Sequence, residues 1–292
     1  MRTVLITGVS TGIGRSIAEE LLKSDFFVIG SVRKKEDSKF LEDNYPDKFS
    51  SVVFDVTKKD EILKAKVEVE QILEKNKSYL SCLINNAGIA IGGPVRYLSV
   101  DNFRKQFEVN FFGLIEVSKI FLDLLIDSNK YKMKNKIINI GSISGKRSYP
   151  FVGPYTSSKF ALEGFTDAFR RELLMHNLDV VLIEPGPIRT PIWEKTPDID
   201  KNPFLGTEFE IPLRKFTKGY LAIGRKGFPP KIIGDKVVEI MNTNSPKTRY
   251  VITPNKFKNY LIPGFLPDRM VDRMIGKMLG LIKNKKASNS EA

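Results

Sequence analysis

The sequence predicts an α/β fold: a doubly wound parallel sheet with helices on both faces, in a single domain. Three observations carry that expectation. Short apolar runs alternate with longer amphipathic stretches along all 292 residues, the order of repeated β-α units joined by right-handed crossovers. Several runs, such as Val4-Leu5-Ile6, are apolar at consecutive positions, which suits parallel strands buried on both faces. Glycine, asparagine and serine residues fall just past the runs, where sheets of this kind bind ligands.

Strands are expected at 3–7, 26–30, 51–54, 82–85, 136–140, 179–184 and 249–252. Helices are expected near 13–24, 58–76, 99–128 and 154–177. Residues 188–230 are rich in Pro, Gly, Phe and Lys and only weakly periodic. We read them as an insertion lying over the site, inside a domain spanning 1–265. An amphipathic stretch from 266 to 282 and a polar tail complete the second unit, 266–292.

Composition narrows the function. The 41% hydrophobic content is ample for a core. One cysteine, Cys82, excludes an internal disulfide and suggests a reducing, cytoplasmic setting. With one Cys and one His (His176), no metal site is expected. The net charge is +13, yet no basic block with interleaved aromatics marks a nucleic-acid surface. No apolar run reaches the roughly 18–20 residues of a membrane span.

The first strand leads into Thr7-Gly8-Val9-Ser10-Thr11-Gly12-Ile13-Gly14. Glycines there allow a tight turn and close backbone approach to a pyrophosphate, and the helix that follows attracts phosphates to its N-terminus. Ser10, Thr11 and Ile13 fill the gaps between Gly8, Gly12 and Gly14. The second strand leads into Ser31-Val32-Arg33, with no carboxylate before Glu36. An acid there would hold a ribose 2′-hydroxyl. Ser31 and Arg33 suit a 2′-phosphate instead, which favours NADP over NAD; the alternative is that Arg33 is a solvated loop cation. Asp55, followed by Val56, is placed to bond an adenine amino group or to cap the next helix.

Tyr155 and Lys159 lie four residues apart in a helical stretch, so their side chains share a face. Ser142 stands thirteen residues upstream of Tyr155, past the apolar run at 137–140. An ammonium beside a phenol favours the phenolate. A phenol titrates at about 10, so moving it two to three units needs roughly 3–4 kcal/mol. Tyr155 would then give a proton to a carbonyl oxygen receiving hydride, or take one from an alcohol. Ser142 would hydrogen-bond that oxygen.

Together these motifs resemble the short-chain dehydrogenase/reductase family over roughly residues 3–192. The glycine loop, Asn85-Asn86-Ala87-Gly88, and Pro185-Gly186 with Ile188 and Thr190 look like its cofactor-binding segments. Asn110, Ser142, Tyr155 and Lys159 match its catalytic tetrad. The resemblance implies a Rossmann fold, Lys159 holding the nicotinamide ribose, and Asn110 holding a water that links Lys159 to solvent. The Arg33 region is similar to NADP-using members, although Thr11 is not the basic residue some of them carry there. The extended C-terminal third, with Leu266-Pro267-Asp268-Arg269, is similar to the steroid- and retinol-type branch.

Substrate residues are expected at Ser142, Tyr149 and Trp193. Phe151, Phe204, Phe209 and Phe216 suggest an apolar pocket and a steroid, retinoid or fatty-chain alcohol or ketone; the alternative is that these rings pack in the core. The C-terminal stripe of Leu266, Met270, Val271, Met274, Ile275, Met278 and Ile282 suits core, subunit contact or peripheral membrane docking. The partners expected are a small lipophilic substrate and further copies of the chain, as a dimer or tetramer. A 3-oxoacyl-thioester reductase is the rival enzyme. A dinucleotide-binding sensor or scaffold is the rival of another class.

Overall fold

The computed structural model describes residues 1–127, 133–191, 203–256 and 265–282. Seven strands form one parallel sheet in the order β3-β2-β1-β4-β5-β6-β7. They are β1 (Arg2–Thr7), β2 (Phe27–Val32), β3 (Phe49–Val53), β4 (Tyr79–Asn85), β5 (Lys136–Ile140), β6 (Asp179–Pro185) and β7 (Arg249–Ile252). The order reverses between β1 and β4, so the crevice for a ligand opens beyond their carboxyl ends.

The consecutive apolar positions divide between two cores. Val4, Ile6, Val28, Ile84 and Ile138 face one side, where they meet Ile17 and Leu21 of α1 (Gly12–Lys23). Leu5, Ile29, Val52, Leu83 and Ile137 face the other. There they meet Ile62 and Val69 of α3 (Lys59–Lys75), Val117 and Phe121 of α5 (Gly113–Asp127), and Phe169 of α6 (Gly153–Glu172). The inner strands β1, β2, β4, β5 and β6 thus bury both faces, while the edge strands β3 and β7 are partly open.

Several elements differ from the sequence expectation. β2 continues through Ser31 and Val32, with Ser31 in register beside Thr7 and Val52. The single helix expected at 99–128 is α4 (Val100–Phe107), then a π-helical turn Glu108–Phe112, then α5. α6 gives way at Leu173 to a 3-10 turn that ends with Asn177 in the left-handed conformation. A short helix, α2 (Lys39–Asn44), was not expected at all.

Within 188–230, the described residues hold more regular structure than the composition suggests. Helix α7 (Glu210–Arg225) occupies much of it, and α8 (Lys231–Met241) follows at once. The base is closed by backbone bonds from Phe228 N–H to Pro187 C=O and from Arg189 N–H to Phe228 C=O, at 3.0 and 2.9 Å. α8 lays Ile233, Val237 and Ile240 onto the same core as α1. The C-terminal helix α9 (Asp268–Leu279) packs on α7 through Leu279 and Ile275.

Candidate active site

The glycine loop is shaped by close approach. Gly8 and Gly12 hold φ of +73° and +63°, a conformation that side chains with a Cβ seldom adopt. A Cβ on Gly14 would lie 2.2 Å from the Gly8 carbonyl oxygen. Asn86 holds the loop from below, donating through Nδ2 to the carbonyls of Thr7 and Gly8 at 2.9 and 3.0 Å. Thr7 Oγ1 accepts the N–H groups of Asn86 and Ala87. β1 and β4 are locked together at the point where the sheet order reverses.

The loop also leaves α1 ready for an anion. Thr11 is the N-cap but makes no side-chain cap, and the first turn carries no acidic residue. Helix N-terminal N–H groups with the positive end of the dipole favour phosphate. Gly12 lies close to Thr190, in the segment that follows β6. The spaced glycines and this uncapped helix end therefore fit the phosphates of a dinucleotide.

At the end of β2 the two expected contacts separate. Ser31 is buried and its Oγ accepts the Gly8 N–H at 3.2 Å. It braces the loop instead of standing in the solvent with Arg33, which is exposed. Asp55 makes a local turn: its Oδ1 accepts the N–H and the hydroxyl of Thr57 at 2.9 and 2.8 Å. It does not cap α3, whose N-cap is Lys58.

The proposed chemistry sits on β5 and α6. Ser142 follows β5, and its Oγ accepts the Ser144 N–H at 3.1 Å, which fixes the turn that presents it. α6 begins at Gly153 with Pro154 in its first turn, where proline's missing N–H costs nothing. Tyr155 and Lys159 project from one face, and Lys159 Nζ lies 5.9 Å from the Tyr155 ring centre. That ammonium donates to the Ile140 carbonyl at 2.8 Å.

Electrostatics at these groups are set by burial. Burial pushes the Tyr155 phenol up, while its hydrogen bond with Ser142 pulls the other way. Burial also pulls Lys159 down from 10.5 to about 8. Burial outweighs the Ser142 hydrogen bond, so the phenol lies above its ordinary value.

Asn110 lies in the π-helical turn. Its Oδ1 accepts the Ile89 N–H at 2.9 Å, and its Nδ2 donates to the Ile89 carbonyl and to Ser158 Oγ. Gly88 passes close to it; a Cβ there would lie 3.3 Å from Asn110 Oδ1. Gln106 repeats the pattern, taking the Ile91 N–H and donating to Ile89. The end of α4 and the π-helical turn therefore aim two amides at the loop past Gly88. Gln106 was missed, because a lone amide in a helical stretch carries no signal.

A second missed feature is a buried polar chain behind the site. Asn85 Nδ2 donates to Ser118 Oγ and to Asn139 Oδ1, and Asn139 Nδ2 donates to Thr166 Oγ1. It links α5, β4, β5 and α6, and so fixes the register of the helix that carries Tyr155. Ile188 is buried and Thr190 half-buried near the glycine loop, while Pro185 ends β6 and the Gly186 N–H bonds to Ile252.

The aromatic residues expected to line the pocket pack chiefly on one another. Phe151 is 5% exposed and meets Phe209 and Phe216 edge-on at 6.0 and 5.6 Å. Phe204, Leu213, Ile275 and Leu279 complete the cluster. Phe216 stacks on Tyr220 at 5.3 Å, and Tyr155 is near enough to raise the Tyr220 phenol, itself raised mainly by burial. α7 thus stands beside α6, which carries Tyr155. Tyr149 is exposed, and Trp193 lies outside the described residues.

The family model described as short chain dehydrogenase matches residues 2–200. The chain belongs to the short-chain dehydrogenase/reductase family. It is 40% identical over 270 residues to the NADPH-dependent 3-dehydrocapnine reductase of Ornithobacterium rhinotracheale, covering 92% of this chain and 94% of that one. It is 29% identical to the 3-ketodihydrosphingosine reductase of Bacteroides thetaiotaomicron over 251 residues, 86% and 87% of the two. A short-chain dehydrogenase structure from Streptomyces avermitilis superimposes with a TM-score of 0.74 at 24% identity, over 94% of this chain and 97% of that one.

Proposed function

We propose that this protein is an NADPH-dependent reductase of a fatty-chain ketone, with 3-dehydrocapnine or a 3-keto compound like it as substrate. The observation that carries the reading is the meeting of Ser142, Tyr155 and buried Lys159 at the carboxyl end of the sheet, beside an uncapped helix N-terminus. Two relatives of nearly the same length act, by name, on a 3-dehydro and a 3-keto compound.

The α1 N-terminus and the glycine loop would hold the cofactor's phosphates, and exposed Arg33 its 2′-phosphate. Asn86, Ala87, Gly88, Pro185, Gly186, Ile188 and Thr190 border the path from there to Tyr155. When bound, the reduced nicotinamide supplies hydride to the carbonyl carbon. Ser142 orients the carbonyl oxygen by hydrogen bond and steadies the charge that develops on it. Tyr155 delivers the phenolic proton to that oxygen. Lys159 holds a positive charge beside the phenolate that remains, and helps seat the nicotinamide ribose. Asn110 and Gln106 hold the backbone at Ile89 and Ile91, on the side of the site facing α6.

A cofactor-coupled screen tests the reading. NADPH and NADH are supplied in parallel with 3-dehydrocapnine, 3-ketodihydrosphingosine, steroid ketones, retinal, a 3-oxoacyl thioester and sugars. Turnover is expected to be highest with NADPH and a long-chain 3-keto compound. Turnover confined to sugars or to the thioester would reject it.

A further inference from the structure

Helix α9 carries two apolar stripes, and the fold uses only one. Val271, Ile275 and Leu279, spaced by four, turn inward; Leu279 is buried and Ile275 joins the Phe151–Phe216 cluster. Met270, Met274 and Met278, also spaced by four, turn outward and are 50%, 55% and 64% exposed. Phe265, just before the helix, is 87% exposed, and Leu281 and Ile282 just after it are exposed too. At 1.5 Å per residue the methionine ridge runs about 12 Å.

The surroundings of this ridge are cationic. Arg269, Arg273 and Lys277 each precede a methionine by one position, so they form a basic row about 100° round the helix. All three are exposed. Among the described residues, no salt bridge involves them. Asp268 and Asp272 stand one position further back, on the far side of the basic row from the methionines. Lys215 of α7 brings its ammonium to the turn at Gly280. In sequence the chain continues with Lys283, Lys285 and Lys286.

We infer that α9 docks the protein on an anionic lipid surface. Its methionines would sink into the headgroup–acyl boundary while the basic row meets lipid phosphates. A helix with one apolar face, one basic face and modest overall hydrophobicity lies in the plane of a membrane interface. Each basic side chain near an anionic surface adds roughly 1 kcal/mol. Charge complementarity favours this occupant over a second copy of the chain, whose own α9 would oppose basic row to basic row in a two-fold pairing.

Docking would also orient the site. The inner stripe of α9 rests on Phe151, four residues before Tyr155, and on Phe216, which stacks on Tyr220. A lipid surface under α9 is therefore separated from the α7 edge of the site by α9 itself and the aromatic cluster beneath it. This inference stands on surface chemistry and does not rest on the proposed substrate.

The test is co-sedimentation of the full chain with vesicles of mixed phosphatidylglycerol and phosphatidylcholine, against pure phosphatidylcholine. Binding is expected to be at least about tenfold tighter to the anionic vesicles and to weaken with added salt. The variant M270S/M274S/M278S changes only exposed side chains; it is expected to keep the circular dichroism and melting temperature and to lose at least about tenfold in binding. R269S/R273S/K277S is expected to lose the salt-sensitive part. Wild-type protein that stays in solution with anionic vesicles would overturn the inference. So would a methionine variant that binds as well as wild type, or one whose only change is a shift from assembly to single chain in sedimentation.

Discussion

At the carboxyl end of the sheet, the structure is held by polar side chains that satisfy particular backbone groups. Thr7 takes two N–H groups, Asn86 donates to two carbonyls, and Asn110 and Gln106 both grip the backbone at Ile89. Around α7 and α9, by contrast, phenyl rings and aliphatic chains meet in a cluster of Phe151, Phe204, Phe209, Phe216, Leu213, Ile275 and Leu279. The first kind of contact is directional and fixes atoms for chemistry. The second is non-directional, tolerates repacking, and ties α7 and α9 to the rest of the fold by burial alone. Tyr155 lies where the two regions meet, with Ser142 on one side and Tyr220 on the other.

The sharpest way to break this contrast is at Tyr155, the proposed proton donor. Tyr155→Phe is expected to lower turnover roughly a thousandfold while leaving NADPH affinity unchanged; fluorescence titration and steady-state rates check it. Retention of more than a few per cent of activity would remove Tyr155 from the mechanism.

Lys159 comes next. Its pKa in the fold, about 8, lies below the 10.5 of an exposed lysine, so the unfolded chain binds more protons between those values. The buried ammonium costs full stability below about pH 8 and none above about pH 10.5, a span worth about 3 kcal/mol. Lys159→Met lacks this group. Denaturant titrations should show wild type gaining on the variant by that amount as pH rises through the window. A constant gap would mean that Lys159 is not strained by burial.

Two substitutions then compare the regions directly. Phe216→Ala opens the aromatic cluster and is expected to cost about 2–3 kcal/mol of stability, with kcat for a short ketone preserved. Asn139→Leu strands the Asn85 amide and Thr166, at about 2 kcal/mol, and is expected to lower kcat because α6 loses its register. Equal effects on kcat would erase the distinction between positioning and packing. The smallest change is at the cofactor. Arg33→Ala should raise the KM for NADPH about tenfold, near 1.4 kcal/mol, and leave NADH unaffected.

The sequence made the sheet, and which residues lie at its carboxyl end, legible because their signals are local. A strand buried on both faces reads as consecutive apolar residues, a phosphate loop as spaced glycines, and the Tyr155–Lys159 pair as a helical interval. The register of Ser31 was not legible, since nothing in Gly30-Ser31-Val32 says where pairing with Val52 ends. The π-helical turn at Asn110 escaped because the backbone its amide holds lies 21 residues away in sequence. α7 was obscured by Pro212, Gly219 and Gly224, which lower helix propensity but are tolerated at its start, exposed face and end. α8 did carry a signal, with Pro230 before Ile233, Val237, Ile240 and Met241 at helical spacing.

The most direct test of hydride transfer uses NADPH carrying deuterium on the reactive carbon of its nicotinamide, with wild-type protein and a long-chain 3-keto compound. The account predicts that mass spectrometry will find the deuterium on the carbon that now bears the hydroxyl. Unlabelled alcohol from both faces of the labelled cofactor, or no alcohol at all, would contradict it.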